Sequence, residues 1–348
     1  MIIKVDALDT LFFRDGKPFT MGLETWADGV FPPYPSVVYG ALRSAYFANQ
    51  IKDLSKANQE DDPTAGLVIK GLFLKIEHDL CLPLPLDCVE DKDKKRNDNR
   101  VFPLALKENT MISSVPTSYI LKDNGDNEVE NVREGYLNDL DFKRYLDATI
   151  EEFYYIKLSD YVYAEEKVGI AKDKNSNTAE KGKLYRVALR RLKNVSIIVD
   201  FEGLDLPETG FIKLGGEGKA ATYKSIDNLP DFSSKLQGNR FKLYISTPAI
   251  LKKGWLPSWI DTDTLEGTYQ GLKLKLLSAA VGKYTSIGGF DVERGRPKPM
   301  KRAVPAGSVY YFELLEGDLE KVKDLMHCRS ISEYNAEQGF GISFVGRV

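Results

Sequence analysis

Residues 31–47 read Phe-Pro-Pro-Tyr-Pro-Ser-Val-Val-Tyr-Gly-Ala-Leu-Arg-Ser-Ala-Tyr-Phe. The three prolines keep the first five residues extended, because each proline also disfavours helical geometry in the residue before it. Ser36 stands where a helix N-cap is expected, and the apolar-rich residues that follow it predict a helix over 36–47. This stretch therefore predicts a sharp entry into the first helix.

Outward from this helix, residues 2–13 are β-rich and end at a turn over 14–18, and strand-like stretches follow at 67–77 and 80–86. The order strand, helix, strand, strand is the first part of a ferredoxin-like βαββαβ unit. The C-terminal half has the same mixed pattern, so we expect two α+β halves that divide at residues 190 and 191. Its expected strands are 195–201, 240–246, 274–281, 308–315 and a closing strand at 339–345, and its expected helices are 217–227 and 318–327.

Three segments interrupt this pattern. Residues 90–100 are charged and poor in apolar side chains, which predicts an exposed loop. Residues 121–166 contain a predicted helix at 137–149. Residues 168–170 and 184–189 flank a polar tip, which predicts a long β-hairpin with a flexible end.

Composition indicates a globular, cytoplasmic protein. Hydrophobic residues make up 43% and charged residues 28%, which is ordinary for a globular chain. No apolar run approaches the roughly 18 residues that a membrane span needs, and no signal peptide is apparent. Cys81, Cys88 and Cys328 are too scattered for a disulfide framework. Reduced thiols are therefore expected, although a pairing of Cys81 with Cys88 is conceivable.

The net charge of −3 conceals a strong segregation of charge along the chain. Residues 121–166 carry thirteen acidic and five basic side chains, whereas residues 181–196 carry six basic side chains and no acid. Residues 281–302 carry six basic side chains against two acids. Affinity for phosphate depends on where charges cluster, so local basic grooves are compatible with an acidic whole. A merely solvated basic face is the alternative for each cluster.

The inventory of catalytic motifs is thin. The two histidines, His78 and His327, are far apart in the sequence, and no zinc, serine-hydrolase or P-loop motif is present. We therefore expect no metal, no cofactor and no enzymatic activity.

Glycines next to basic residues are more informative, because backbone amides approach phosphate closely where side chains are absent. Gly216, Gly218 and Lys219 are expected to open a helix whose amides face an anion. In the first helix, Tyr39 and Arg43 are one turn apart, a spacing that suits stacking on a base and contact with a phosphate. The alternative for Tyr39 is partial burial against a sheet.

The last basic segment contains Lys283, Arg294, Arg296, Lys298 and Arg302. Prolines at 297 and 299 keep it extended, so it could follow a sugar-phosphate backbone. The alternative is an exposed loop kept soluble by its charge.

At these motifs the sequence resembles a known family. Residues 13–19, 35–43, 182–187, 216–220 and 288–307 are similar, in the same order, to the third subunit of the type III-B CRISPR (Cmr) complex, and residues 339–341 look like the glycine-rich loop of repeat-associated (RAMP) proteins. The resemblance implies a Cas-five-like RAMP protein with an α+β fold, built from two ferredoxin-like (RRM-like, βαββαβ) domains with inserted loops and a β-hairpin. The domains would span 1–190 and 191–348.

The resemblance also implies a non-catalytic subunit in antiviral defence. Its partners would be the 5′ tag of the guide RNA, the large polymerase/cyclase-type subunit and the backbone RAMP subunits, with no membrane contact. Target cleavage and nucleotide cyclisation would belong to those neighbours. The residues expected to bind RNA are Arg14, Lys17, Tyr39, Arg43, Gly216, Gly218, Lys219, Lys283, Arg294, Arg296, Lys298, Arg302, Gly339 and Gly341.

Two rival functions stay open. A metal-independent endoribonuclease that processes CRISPR repeat RNA would need a base beside the attacking 2′-hydroxyl, and Tyr46 or Tyr39 with Lys17 could supply it. A purely structural subunit would touch protein alone.

Overall fold

The computed structural model describes residues 1–14, 26–27, 29–94, 98–110, 115–125, 128–172, 179–291 and 295–348. The helices of these ranges are α1 (Pro35–Asn49), α2 (Asp139–Leu146) and α3 (Leu319–Met326), with 3₁₀ turns at Ile51–Lys56, Leu158–Asp160 and Ala336–Gln338.

The strands of the first part of the chain are β1 (Ile2–Ala7), β2 (Trp26–Ala27), β3 (Val68–Ile76), β4 (Asp79–Pro83), β5 (Cys88–Asp91), β6 (Arg100–Pro103), β7 (Ala105–Glu108), β8 (Tyr119–Lys122), β9 (Val129–Asn131), β10 (Gly135–Asn138), β11 (Phe153–Tyr154), β12 (Ile156–Lys157), β13 (Val162–Lys172) and β14 (Ala179–Leu192). Those of the second part are β15 (Val195–Glu202), β16 (Thr209–Lys213), β17 (Ala220–Ile226), β18 (Arg240–Ile245), β19 (Glu266–Tyr269), β20 (Leu272–Ala280), β21 (Thr285–Ile287), β22 (Phe290–Asp291), β23 (Arg296–Pro297), β24 (Lys301–Ala303), β25 (Val309–Glu316), β26 (Arg329–Ser330) and β27 (Ile342–Arg347).

Helix α1 confirms the helix expected over 36–47, with one difference at its start. The N-cap is Tyr34 rather than Ser36, and no side chain caps the helix. Pro35 fits the first turn because the amide that it lacks would have no helical partner there. Val38, Leu42 and Ala45 are buried on one side of α1 and anchor it to the core.

The larger sheet has eight strands in the order β12-β10-β4-β3-β15-β1-β17-β16. Strand β15 pairs antiparallel with both β1 and β3, so it separates the two strands that α1 connects. The run β17-β1-β15-β3 has the strand order of a ferredoxin-like sheet, but a strand, β16, stands where that fold has its second helix. The third core strand is therefore β15, whereas the stretch expected at 80–86 forms β4 on the outer side of β3.

The second sheet has the order β19-β20-β25-β18-β27-β26. Its run β20-β25-β18-β27 repeats the strand order of the first sheet, and α3 connects β25 to the last strands. In the described residues between β18 and β20, no helix corresponds to α1. Each sheet thus has the ferredoxin-like strand order with one of the two helices, and two complete ferredoxin-like domains remain a prediction.

Sheet membership differs from the expected division at 190 and 191. Strands β15, β16 and β17 follow that point but belong to the larger sheet, because they pair with β1, with β3 and with each other. The change from the first sheet to the second falls between Ile226 and Arg240.

The helix expected over 217–227 was wrong. Residues 220–226 form β17, which pairs with β1 on one side and β16 on the other. The alternation of buried Ala221 and Tyr223 with less buried neighbours is the two-residue period of a strand. The glycines before it form a hairpin turn rather than the start of a helix.

The two sheets share buried contacts. Tyr244 and Phe344 of the second sheet pack edge-on against Phe142 of α2, with ring centroids 4.8 and 5.5 Å away. A buried polar cluster lies close by, in which the Tyr145 and Tyr311 hydroxyls donate to the fully buried Asp87 carboxylate at 2.7 and 2.5 Å. The insertion between β4 and β15 is thereby fixed to the second sheet.

Among the described residues, no helix is both long and apolar enough to cross a bilayer.

Candidate nucleic-acid interface

Two of the expected RNA-binding residues lie on α1, and the structure gives one of them an internal role. The Arg43 guanidinium pairs with the Asp62 carboxylate at 2.6 Å and donates to the Thr64 hydroxyl at 2.7 Å. Side-chain exposure is 24% for Arg43 and 7% for Asp62, so this pair is largely withdrawn from solvent. Tyr39, one turn away, is half-buried, and burial raises the pKa of its hydroxyl.

The turn over residues 214–219 joins β16 to β17 and packs on the segment that follows β1. The Gly216 amide donates to the Phe12 carbonyl at 2.8 Å, so it is already satisfied within the protein. Gly218 has φ +65° with open space around its Cα. The Lys219 ammonium donates to the Thr10 hydroxyl at 2.7 Å and lies 3.3 Å from Asp9. Lys219 is thus an internal partner of the chain as well as a candidate phosphate contact.

Arg14 bridges to Gly29 across an antiparallel pair and has an exposed side chain. This pairing continues where the Val30 amide donates to the Phe13 carbonyl at 2.7 Å. Lys17 lies outside the described residues.

Gly339 and Gly341 are required by the fold itself. Both have positive φ, +89° and +67°. A Cβ on Gly341 would come within 2.7 Å of the Ser332 amide nitrogen, and one on Gly339 within 2.8 Å of Ile69. The Gly341 amide donates to the Pro248 carbonyl at 2.9 Å. Because these glycines have no side chain, neighbouring segments of the same chain can pack directly against their backbone.

The segment 281–303, which includes the basic stretch 281–302, contains most of the expected cations that are exposed. It forms short antiparallel ladders, β21 with β24 and β22 with β23. Within it, Lys283, Arg296, Lys298 and Arg302 are exposed, and no carboxylate of the described residues forms an ion pair with any of them. Arg294 lies outside the described residues. These four cations are therefore available to an external anion.

Direct contacts link the expected sites into one chain of neighbours. The 214–219 turn touches Phe12, and residues 13–14 pair with 29–30. Tyr34 then packs against a buried cluster that includes Ile287, Ala303 and Phe340. The structure thus connects the Arg14, Gly216 and Arg302 regions through adjoining segments, while Arg43 and Lys219 have carboxylate partners of their own.

Aromatic residues that the sequence patterns did not reveal accompany these cations. The Arg302 guanidinium lies over the Tyr284 ring, and the Lys301 ammonium lies 4.2 Å from the Tyr334 ring centroid. Both tyrosines are more than 40% exposed. Tyr284 directly follows Lys283 in the sequence, and this Lys-Tyr pair within a basic segment was the signal that could have identified it.

The histidines and Tyr39 are the side chains considered for proton transfer. His78 is exposed, whereas His327 is half-buried and accepts from the Val345 amide. Burial lowers the pKa of His327 and raises that of Tyr39, so each favours its neutral form. Among the described residues, no group of three or more His, Cys, Asp or Glu side chains is arranged to hold a metal ion.

Comparison with known proteins gives the family. The family model described as CRISPR-associated protein (Cas_Cmr3) matches residues 3–348. No curated protein matches the sequence. Two solved structures have a similar fold. One is the type III-B Cmr-beta bound to cognate target RNA and AMPPnP, with a TM-score of 0.54, 16% identity and coverage of 89% of this chain and 86% of that chain. The other is the type III-B Cmr-beta bound to cognate target RNA, with a TM-score of 0.55, 18% identity and the same coverage of 89% and 86%.

At these identities the two structures establish likeness of fold. The family match covers nearly the whole chain and confirms the resemblance to the third subunit of the Cmr complex. This chain belongs to the Cas_Cmr3 family of CRISPR-associated proteins.

Proposed function

We propose that this chain is a non-catalytic, guide-RNA-binding subunit of a type III-B CRISPR effector complex. It would hold the 5′ tag of the guide RNA, dock the large polymerase/cyclase-type subunit and contact the backbone RAMP subunits. Family membership supports the assignment to the complex.

One observation supports RNA binding above the others, namely the exposed cations of the segment 281–303 that have no carboxylate partner among the described residues. Arginine and lysine side chains that already serve a carboxylate, as Arg43 and Lys219 do, offer less to a phosphate. Lys283, Arg296, Lys298 and Arg302 are exposed and lack such partners among the described residues. A cluster of exposed positive charge favours a polyanionic ligand, even in a chain whose net charge is −3.

Protein partners fit other parts of the chain. The acidic stretch 121–166 would repel phosphate and suits a basic protein surface. The hairpin of β13 and β14 extends from the larger sheet region and suits a position between the guide and a neighbouring RAMP subunit. Its base is held where Leu11 bridges to Arg190.

A reconstitution experiment tests the proposal. The chain is combined with the large subunit, and binding of a guide RNA with its 5′ tag is compared with binding of the same RNA with a scrambled tag. We expect tighter, salt-dependent binding of the tagged RNA. Equal binding of the two RNAs would contradict tag recognition, and no salt-dependent binding would favour a structural subunit that touches protein alone.

The same RNA distinguishes the nuclease alternative. Incubation of repeat RNA with the chain in chelator should leave it intact, whereas a specific cut would indicate a metal-independent endoribonuclease.

A further inference from the structure

A groove of about 720 Å³ lies between the β7–β8 hairpin of the insertion and the second sheet. Strand β8 packs beside β20 and forms one wall, and residues 281–284 before β21 with residues 302–305 in and after β24 form the other. Five of its lining residues carry rings or charge: Tyr119, Trp255, Lys283, Tyr284 and Arg302. We call it the aromatic groove. Its volume lies within the range of small-molecule sites, roughly 300–1,000 Å³.

Two of the rings are fixed by contacts behind them. The Trp255 ring lies parallel to that of Tyr310 at 9° and 6.5 Å, and the Tyr310 hydroxyl donates to the Trp255 carbonyl at 2.6 Å. Arg240 donates to the Tyr119 hydroxyl at 2.7 Å with its guanidinium 4.6 Å from the ring centroid. These rings therefore keep their positions before any ligand binds, which lowers the entropy lost on binding.

The charge of the aromatic groove favours an anion. Lys283 and Arg302 stand on its wall, and none of the described residues that line it is acidic. The rest of the lining is mostly aliphatic, with residues such as Val281 and Val304. A flat aromatic ligand with an attached phosphate matches this combination, because every base has a π-face that stacks on aromatic side chains.

We propose that the aromatic groove binds one unpaired nucleotide. The base would stack among Tyr119, Trp255 and Tyr284, and the phosphate would contact Lys283 and Arg302. This inference rests on the proposed function and deepens it, since it assigns a single base position to the groove. One wall of the groove belongs to the insertion. A free nucleotide presents the same chemistry as an RNA residue, so the test separates the two sources.

The test uses the reconstituted complex and a tagged guide RNA with 2-aminopurine at one tag position at a time. Stacking on an aromatic ring quenches this base, so we expect one position to be quenched more than the others. Tyr284→Ala removes one of the three rings, so it should reduce that quenching and weaken binding about five- to 150-fold, the range for loss of one stacked base. Tyr284→Phe keeps the ring and should behave as the unaltered protein. Phe211→Ala removes another exposed aromatic ring, 72% accessible and outside the groove, and should change nothing.

The outcomes separate the groove from the wider function. Tag-specific binding without any quenching sensitive to Tyr284→Ala would overturn the groove and leave the proposed function intact. Loss of the large subunit rather than of RNA in Tyr284→Ala would make the groove a protein contact and also overturn it.

Titration of adenosine monophosphate into the full chain, followed by tryptophan fluorescence, identifies the source of the nucleotide. Binding that Tyr284→Ala abolishes would support the groove as a site for free nucleotide. If the complex fails to recognise the tag, the proposed function fails. The nucleotide site in the groove is then tested by the adenosine monophosphate titration alone. Absence of adenosine monophosphate binding would in that case overturn the groove site as well.

Discussion

The guanidinium carbon of Arg302 lies 4.6 Å from the ring centroid of Tyr284. Because β24 pairs with β21 so that Arg302 faces Ser286, Tyr284, the residue before β21, is the diagonal neighbour of Arg302. Diagonal neighbours of a ladder lie within reach of long and aromatic side chains. The β21–β24 ladder thus sets an exposed cation and an exposed ring side by side, and no carboxylate of the described residues forms an ion pair with this guanidinium.

The salt dependence of RNA binding should follow the unpaired cations. Replacing Arg296 and Lys298 together by alanine removes two charges that have no carboxylate partner among the described residues. We expect binding of tagged guide RNA to weaken by about 1–3 kcal/mol and the slope of log K against log salt to fall by about 1.4, since each phosphate neutralised on a single strand adds about 0.7 to that slope. Fluorescence anisotropy at four salt concentrations measures both. Lys321→Ala on α3 is the matched control, and an unchanged slope in the double variant would remove this pair from the interface.

Arg43 should matter for stability rather than for RNA. Arg43→Ala leaves the largely buried Asp62 carboxylate without its charged partner and Thr64 without its donor. We expect the free energy of unfolding to fall by about 1–3 kcal/mol, because hydrogen bonds to charged groups are worth that much. Urea denaturation measures it. A tenfold loss of RNA affinity at unchanged stability would instead place Arg43 in the interface.

The Arg43–Asp62 pair should also give the protein an acid-sensitive contribution to stability. Burial acts to raise the pKa of Asp62, but hydrogen bonds from Thr64 and from the Asn58 amide, with the charge of Arg43, leave that pKa below its ordinary value. A carboxyl with a lowered folded-state pKa stabilises the fold above its unfolded pKa of about 3.9, and this stabilisation is lost as pH falls through the folded value. The stability difference between the unaltered protein and Arg43→Ala should hold from about pH 7 to about pH 5 and shrink below about pH 4. A difference that grew in acid would contradict this assignment.

The polar cluster around Asp87 should hold the insertion to the second sheet. Tyr311→Phe removes one of two hydroxyls that donate to a fully buried carboxylate. We expect a loss of about 1–3 kcal/mol in the free energy of unfolding. Tyr154→Phe, at an exposed tyrosine of the insertion, should have no effect. Equal urea midpoints for the two variants would show that the cluster contributes nothing.

Gly218 and Gly341 should respond differently to the same substitution. Both have φ near +65°, a conformation that asparagine tolerates better than other side chains. A Cβ at Gly218 meets open space, whereas one at Gly341 meets the Ser332 backbone at 2.7 Å. Gly341→Asn should therefore lower the thermal midpoint by several degrees or prevent folding, while Gly218→Asn should change it little. Similar changes in the thermal midpoint for the two variants would show that the positive φ, and not the close approach of Ser332, determines the loss of stability.

Local patterns predicted local elements well. Helix α1 and strands β3, β15, β18, β20 and β25 lie within two residues of their expected bounds, because each has a clear apolar period and flanking turn residues. The glycine-rich turn before β17 was predicted to be a helix start, because glycines beside a basic residue occur both in hairpin turns and at helix N-termini. The pairing with β1, which makes residues 220–226 a strand, joins residues more than two hundred positions apart, such as Ala7 and Ala221.

Site residues were predictable by type and less so by role. The sequence marks Arg43 as a cation on a helix, but its partner Asp62 lies nineteen residues away in an irregular segment, and no local pattern relates the two. Gly341 was marked for a close approach, but the atoms that approach belong to Ser332. The cations of 281–303 were predicted as phosphate contacts because six basic side chains outnumber two acids in residues 281–302, and that role stays a prediction.

The central position of β15 has a consequence for synthesis. The strand that joins β1 to β3 leaves the ribosome only after everything between Ile76 and Val195 has been made. Until then the first strands of the nascent chain have unpaired edges, and pairings between segments so distant in sequence form slowly. We expect a chain released from the ribosome after residue 190 to remain sensitive to protease throughout β1 and β3, and one released after residue 226 to become resistant there. Resistance of the shorter chain would show that these strands fold without their partner.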